Sequence, residues 1–494
     1  MNYLCLVCFK PDPIWIEFLS KFTAYGVYII VDDNTVDYTD KYVEYPNLHI
    51  IQIQNDVCAE HGFTDANPFV KDSKGRVISG WEKALYYLSS VNTSYDKVWI
   101  LEDDAFIYNE STLLTIDSTY PASDCLSPEY EENLPKNGGW HWVWLDKLIR
   151  VPPPWYHAVV PAVRISRTLA SKIKEYAVQN KTIFFIEAMI PTLTKMHKLL
   201  YDTPDTMKNV VFRSNFIMND IDDKQIYHPV KEISKHILYR KNLNMFAVPK
   251  LVGGLGNQLF ILNAAMGYAE KTGRKLAFAT VPDNPHCPKD PLISSLFPMI
   301  PTISLTGRKV CEIPTGSCHE YIDLPNPADD VVLIGGYCQN TLYFPLTYIL
   351  WNDFFKRLPK TPLRLDFKNL CFLHVRRGDY VNNSAYEIDL ITYWRSALGQ
   401  ISCPVLLLSD DMTWASKELP RIFPQIQWVI PSTPLTAMET LHTMSLCGKG
   451  AICANSTLSW WGAWLNPNRF IAMPKPWTGY CSDDTMYFSG VSIF

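Results

Sequence analysis

Short apolar runs in this chain repeatedly stop on a cluster of charged, hydroxyl or glycine residues. Ile29-Ile30-Val31 runs into Asp32-Asp33, and Val98-Trp99-Ile100-Leu101 into Glu102-Asp103-Asp104. Cys371-Phe372-Leu373 runs into His374-Val375-Arg376-Arg377-Gly378-Asp379, and Val405–Leu408 into Ser409-Asp410-Asp411. Ala451-Ile452-Cys453-Ala454 ends on Asn455-Ser456-Thr457. Continuous apolar runs of this length read as strands buried on both faces, as in parallel α/β sheets. Polar residues at their ends then line the sheet edge where open α/β folds bind ligands. Strands alternate with helical patterns throughout, so the chain is predicted to be α/β.

Strand-like Tyr3–Phe9 and Val27–Val31, a helix-like stretch at Ser79–Ser90 and strand Lys97–Leu101 form a first half. After polar sequence at Tyr227–Asn244 a second half restarts at Met245-Phe246-Ala247-Val248 with a glycine-rich turn. A new strand–glycine–helix start places the boundary between domains 1–243 and 244–494. Hydrophobic residues make up 47% of the 494 and charged residues 19%, enough for sizeable cores. With a net charge of −5 and no basic block, nucleic acid is not an expected partner. No apolar run reaches the roughly eighteen residues of a transmembrane helix. The N-terminal run Met1–Phe9 reads as a first strand rather than a signal. The 13 scattered cysteines fit reduced thiols, so a cytoplasmic location is expected. Cys5-x-x-Cys8 lies inside a strand-like run and reads as structural.

In the second half, Gly253-Gly254-Leu255-Gly256-Asn257 precedes a helical stripe at Leu259, Leu262, Met266 and Ala269. A helix N-terminus then faces whatever sits above the loop. The spacing is neither a Walker A nor a dinucleotide fingerprint. Arg376 and Arg377 offer a fork for a doubly charged anion such as a diphosphate, or form a structural pair with Asp379. Asp410 or Asp411 can accept from a ribose hydroxyl or a guanine edge, or cap a helix beginning near Met412. The glycine loop, HxRRGD, SDD and NSTxSWWG, in this order, closely resemble the α1,2-fucosyltransferases. The resemblance implies a GT-B-like fold of two Rossmann-type lobes and an inverting transfer from GDP-fucose; with no convincing metal-type acidic pair in this half, metal independence is expected. It implies that Arg376 grips the β-phosphate, that Arg377 and Asp379 brace its loop, and that His374 orients it. Asp410 would read guanine or ribose, Ser456, Thr457 and Ser459 would form the phosphate-side turn, and Asn257 would lie near phosphate and fucose. The base is open between Asp379 and Glu387, and Asp379 is equally open to a structural role.

In the first half, three acids at the end of an apolar strand repel one another unless a cation neutralises them. Glu102-Asp103-Asp104 looks like the DxD-type motif of GT-A glycosyltransferases, with Mn²⁺ or Mg²⁺ bridging a diphosphate. A solvated turn is the alternative. Asp32 and Asp33 are candidates for nucleobase and ribose contacts. In Tyr227-His228-Pro229-Val230-Lys231, His228 can complete a metal site and Lys231 can reach a phosphate; a lone histidine can equally be structural. Glu187, in an apolar run, and more weakly Asp146 are base candidates. Trp140, Trp142, Trp144, Trp155 and Tyr156 suit either an acceptor sugar or a core.

These features predict a bifunctional glycosyltransferase. Its first half would be a single Rossmann-type GT-A-like domain using UDP-galactose, UDP-xylose or a similar donor, and its second a GDP-fucose transferase, with a glycan as acceptor. A fucosyltransferase fused to a non-catalytic carbohydrate-binding or scaffold domain is the alternative. The expected source is a bacterium or a large virus.

Overall fold

The N-terminal apolar run forms a strand, β1 (Asn2–Cys8), with Leu4 to Cys8 buried between layers of helices. The structure is a computed structural model. It describes residues 2–67, 71, 74–133, 149–279, 293–316, 319–351, 353–386, 388–478 and 484–494. Trp140, Trp142, Trp144, Asp146 and Glu387 lie outside the described residues. The chain divides into two units, Met1–Leu243 and Asn244–Phe494.

In the first unit, β1 joins β2 (Tyr25–Val31), β3 (Leu48–Gln52), β4 (Lys97–Glu102), β5 (Cys125–Leu126), β6 (Ala162–Ser166) and β7 (Tyr201–Asp202). The sheet order is β3-β2-β1-β4-β6-β5-β7, and β6 runs antiparallel to both its neighbours. Cys8 pairs with Val31 and Val7 with Glu102, so Asp32 and Asp103 leave the two strands that flank β1 at the same end of the sheet. Helix α1 (Gly80–Tyr86) starts on a capping box in which Ser79 and Glu82 satisfy each other's backbone N–H groups. It continues as a π-helical turn over Tyr87–Val91. Helix α2 (Ile186–Met196) carries Glu187 in its first turn.

Among the described residues the second unit holds two larger, wholly parallel sheets, beside a two-stranded one that pairs Phe278–Ala279 with Thr302–Ile303. The first is built from β8 (Phe246–Pro249), β9 (Lys275–Leu276), β10 (Val310–Ile313) and β11 (Val331–Ile334) in the order β9-β8-β11-β10. Gly253, at φ +72°, turns the chain from β8 into helix α3 (Leu255–Thr272). The second is built from β12 (Cys371–Val375), β13 (Val405–Ser409), β14 (Trp428–Val429), β15 (Gly450–Ile452), β16 (Phe470–Met473) and β17 (Ser492–Ile493), in the order β14-β13-β12-β15-β16-β17. Helices α4 (Met412–Ile422) and α5 (Thr457–Trp464) follow β13 and β15. This mixed α/β architecture with Rossmann-like sheets is the fold class the strand-end pattern implies.

The tryptophans of Ser459-Trp460-Trp461-Gly462 are core. Trp461 is fully buried, stacks on Phe344 and Trp351, and donates Nε1–H to the Gly256 carbonyl at 3.0 Å. Gly256 lets α3 and α5 touch: a Cβ there would stand 2.6 Å from Leu458 N and from Thr457 C. Backbone atoms in packed helices cannot yield cheaply, so Gly256→Ala is expected to cost about 1–3 kcal/mol of stability. A lower denaturant midpoint for unfolding of this unit is the expected result, and an unchanged midpoint would show that the two helices have slack.

Candidate active sites

In the first unit, backbone pairing brings two distant segments together at the end of β4. Phe106 and Tyr227 exchange N–H···O=C bonds of 2.7 and 3.0 Å, and Val230 N–H donates to the Asp104 carbonyl at 2.7 Å. His228 is thereby set against the acids, with Nε2 3.2 Å from Asp104 Oδ1. Among the described residues, Glu102, Asp104 and His228 can each offer one ligand atom, all within 4.8 Å of one another. His228 Nδ1 lies 2.8 Å from the Val211 carbonyl, which can only accept. Nδ1 therefore donates to Val211 and leaves Nε2 to face the acids, as N–H towards Asp104 when no cation is bound and as the lone pair a metal ligand needs if one is. Asp104 Oδ1 is buried and receives no hydrogen bond of good geometry. Trp81 Nε1–H donates to Glu102 Oε1 at 2.6 Å, fixing that carboxylate's orientation. The donor set fits a divalent cation.

Electrostatics sharpen the strain of this cluster. Burial and the charges of Asp104 and Asp103 hold the Glu102 carboxyl above its usual range, against the bond from Trp81. Burial pulls the His228 pKa down, but Asp104 and Glu102 outweigh it and raise it. Glu187 joins the same field: burial and the charge of Glu102 push it up to about 7, with His228 acting the other way. Asp103 is exposed; its carbonyl accepts from Trp15 Nε1–H at 2.8 Å.

Asp32 and Asp33 part ways. Asp32 is half-buried and paired with the fully buried Lys83, whose Nζ is 2.6 Å from both the Asp32 carboxylate and its carbonyl. Asp33 is turned inward, 2% exposed, accepting from Thr35 N–H at 2.8 Å, Thr35 Oγ1–H at 2.6 Å and Tyr38 O–H at 3.2 Å. Its carboxylate is engaged by its own turn. Lys231 is exposed and lines a cavity of about 530 Å³ with Arg213, Phe216 and Lys235. Trp155 is engaged by its own turn, donating Nε1–H to the Val151 carbonyl at 2.9 Å, and Tyr156 stacks edge-on against Tyr130. The Cys5 and Cys8 thiols are both buried, and burial pushes them far above the ordinary thiol range.

In the second unit, strand register builds the arginine site. Val375 pairs with Ser409, so Arg376 and Asp410 leave adjacent parallel strands side by side. Leu373 pairs with Ile452, which sets Asn455 level with Arg376 on the other flank. Arg376 is held between two carboxylates, Nη2 2.6 Å from Asp379 and Nη1 3.0 Å from Asp410. The other Asp410 oxygen accepts from Arg377 N–H at 2.8 Å. Gly378 leaves room for this: a Cβ there would stand 2.6 Å from Asp410 Oδ2. Asp411 caps α4 by accepting from Trp414 N–H at 3.0 Å and takes Arg377 Nε–H at 3.1 Å. The Arg377 guanidinium lies over the Trp414 ring at 3.9 Å. Thus Asp411 is the helix cap and brace, and Asp410 is the acid that meets the first arginine.

The other expected residues divide. Asn257 sits in the first turn of α3 and accepts from Gln339 Nε2–H at 3.1 Å. Ser456 holds the N-cap position of α5 without using its hydroxyl as a cap, and Thr457 begins the helix against Gly256. Ser459 is fully buried and donates to the Ala454 and Ser456 carbonyls at 3.2 and 3.0 Å. Its hydroxyl braces the turn from within. Residues missed in the sequence are Trp81, Lys83, Trp414 and Asn455. Only the Ser79-x-x-Glu82 capping box, which sets the first turn of the helix bearing Trp81 and Lys83, left a signal there.

Residues 365–479 match the family model described as glycosyl transferase family 11. The chain is similar to the O-antigen biosynthesis glycosyltransferase WbnK of Escherichia coli, 32% identical over 120 residues, 22% of this chain and 39% of that protein. It is also similar to a galactoside 2-alpha-L-fucosyltransferase of Caenorhabditis elegans, 25% identical over 249 residues, 44% of this chain and 68% of that one. The fucosyltransferase NodZ from Bradyrhizobium superposes with a TM-score of 0.30 at 12% identity, covering 45% of this chain and 94% of that one. The chain spans less than half the length of the first curated relatives it matches. No helix among the described residues is long and apolar enough to cross a membrane.

His374, behind the arginines, is 3% exposed, and burial with the charge of Arg376 pushes its pKa down to about 3. The ordinary unfolded value is about 6.5, so the unfolded chain binds the proton and the folded one does not. This contribution to stability is complete above pH 6.5 and is lost as pH falls towards 3, at up to about 1.4 kcal/mol per pH unit. His374→Phe removes it, so the difference in urea midpoint between variant and wild type should change across pH 6.5 to 3; a constant difference would mean His374 is not held neutral. HVRRGD, SDD and NSTLSWWG all fall inside residues 365–479, the segment that matches the family 11 glycosyltransferase model.

Proposed function

We propose that the chain is a bifunctional glycosyltransferase. Its C-terminal unit transfers L-fucose from GDP-fucose to a sugar hydroxyl, inverting to an α1,2 linkage, and its N-terminal unit is a GT-A-like transferase of a second nucleotide sugar, a UDP-sugar such as UDP-galactose or UDP-xylose. The observation that carries the C-terminal half is Arg376 at a strand end with its counter-charges on part-exposed side chains rather than in a buried lattice. Asp379 is 67% exposed at its side chain and Asp410 25%. A diphosphate arriving there meets a guanidinium already oriented, with Asn257, Ser456 and Thr457 on the glycine-loop side. The two lobes would then be those of a GT-B-like enzyme.

In the transfer, the bond from fucose C1 to the β-phosphate oxygen breaks and GDP leaves with added negative charge. Arg376 stabilises that charge without a metal, and Arg377 and Asp411 keep its loop in place. The acceptor oxygen bonds to C1 from the opposite face, and its proton passes to a carboxylate. Asp379 is suited to take it, because a diphosphate that engages Arg376 releases Asp379 from its 2.6 Å pairing.

In the N-terminal unit, Glu102, Asp104 and His228 would hold Mn²⁺ or Mg²⁺, with Asp103 beside them. Such an ion, when bound, supplies positive charge to a departing nucleoside diphosphate. Asp32, fixed by Lys83, would meet the nucleoside, and Lys231 a phosphate. Glu187, titrating at about 7, is suited to take the acceptor's proton near neutral pH. Two transferases on one chain raise the effective concentration of the shared glycan intermediate.

Donor turnover by the full chain tests both halves. Arg376→Ala is expected to lower GDP-fucose turnover by about 2–4 kcal/mol of transition-state stabilisation, with EDTA having no effect on the wild-type rate. Turnover of a UDP-sugar from a panel is expected to vanish with EDTA or in Asp104→Asn, leaving GDP-fucose turnover intact. Undiminished GDP-fucose turnover in Arg376→Ala would refute the assigned role. If no second donor is consumed, the N-terminal unit is a binding or scaffold module.

A further inference from the structure

Asn455 is 2% exposed and lines the cavity of about 380 Å³ that holds Arg376, Arg377, Tyr380, Tyr386 and Trp414. The loop after the arginines is latched to it twice. Tyr380 O–H donates to the Asn455 carbonyl at 3.1 Å, and Asn455 Nδ2 donates to the Tyr386 carbonyl at 3.2 Å. Tyr380 and Tyr386 stack face to face, 4.0 Å apart and 6° from parallel, as the wall between these contacts. A carbonyl can only accept, so the Tyr386 contact identifies Nδ2 and fixes the amide's orientation. The other amide atom, Oδ1, is buried and has no hydrogen-bond partner. A buried acceptor without a donor is costly, and such groups are few in folded proteins. Here it belongs to a residue that lines a cavity beside two guanidiniums.

We infer that Asn455 Oδ1 is a specificity-determining acceptor, completed by an O–H or N–H of the nucleotide sugar whose diphosphate Arg376 engages. The inference rests on the donor reading proposed above. Its physical content is that a site with a fixed buried acceptor rejects a ligand lacking the matching donor far more strongly than an apolar wall would. The donor group would belong either to the sugar being transferred or to the guanosine, the two parts of the nucleotide sugar that flank its diphosphate.

The test uses the full chain, wild type and Asn455→Leu, which is close in shape and lacks both amide atoms. Affinity is measured by calorimetry for GDP, GDP-fucose, GDP carrying 2-, 3- or 4-deoxyfucose, 2′-deoxy-GDP and inosine diphosphate. In the wild type, one deletion is expected to weaken binding by tenfold or more, as about 1.4 kcal/mol per tenfold step implies for a lost charge-free hydrogen bond and a stranded acceptor. In Asn455→Leu the parent ligand should fall by a similar factor, and that same deletion should cost nothing further, since the two changes remove one contact. A deoxyfucose as the sensitive ligand assigns the sugar; 2′-deoxy-GDP or inosine diphosphate assigns the nucleoside. If every deletion costs the same in both proteins, Asn455 is only the latch of its loop and the inference falls. Should Asn455→Leu fail to fold, the wild-type series decides alone: a uniform response overturns the inference. A wild type that binds no GDP overturns the donor reading itself.

Discussion

Two guanidiniums at the end of a buried strand need opposite charges before any ligand arrives, and the second sheet of the C-terminal unit supplies them by register. Because β12 and β13 run parallel with Val375 beside Ser409, Asp410 reaches Arg376 and the Arg377 N–H together. Asp379 closes the other side of the fork. Arg376 thus meets one acid from its own loop and one from the neighbouring strand. The pairs are part-exposed, where ion pairs contribute little to stability. Their consequence is geometric: the fork stands fully formed, and an incoming dianion competes with single carboxylates for it.

The same logic, with the charges reversed, runs through the N-terminal unit. Glu102, Asp103 and Asp104 follow a buried strand, and what faces them is an imidazole brought in by the Phe106–Tyr227 pairing. His228 is oriented by the Val211 carbonyl, and Glu102 by Trp81. Glu102 and His228 are thus each held by a partner that leaves one atom uncommitted. Burial raises Glu102 and Glu187, so the cluster is more comfortable with a positive charge than without one.

Much of this was legible in the sequence, because apolar runs followed by polar clusters report both the strand and the sheet edge at which it ends. The strands at Val27–Val31, Lys97–Leu101, Cys371–Leu373 and Val405–Leu408 all lie within strands of the fold. What the pattern could not separate was direction within a cluster. Asp32 and Asp33 are neighbours, yet one meets Lys83 and the other folds onto Thr35. Ser456, Thr457 and Ser459 share a turn, yet Ser459 is sealed completely beneath it, Ser456 keeps 7% exposure and Thr457 is half-buried. Asp410 and Asp411 split into fork and cap. These choices are made by ψ angles and strand register, which residue types do not encode singly. Asn455 was read only as the start of a turn, since an unmet acceptor shows only once its neighbours are placed.

The central claim is that Arg376, oriented by Asp379 and Asp410, is a diphosphate site needing no metal. Calorimetric titration of GDP into the full chain in EDTA, for wild type and Arg376→Lys, tests it most directly. A lysine keeps the charge but loses the planar fork. The account predicts saturable binding at one site by the wild type and weakening by tenfold or more, about 1.4 kcal/mol, in the variant. Binding that requires a divalent cation, or that is equally tight in Arg376→Lys, would contradict it.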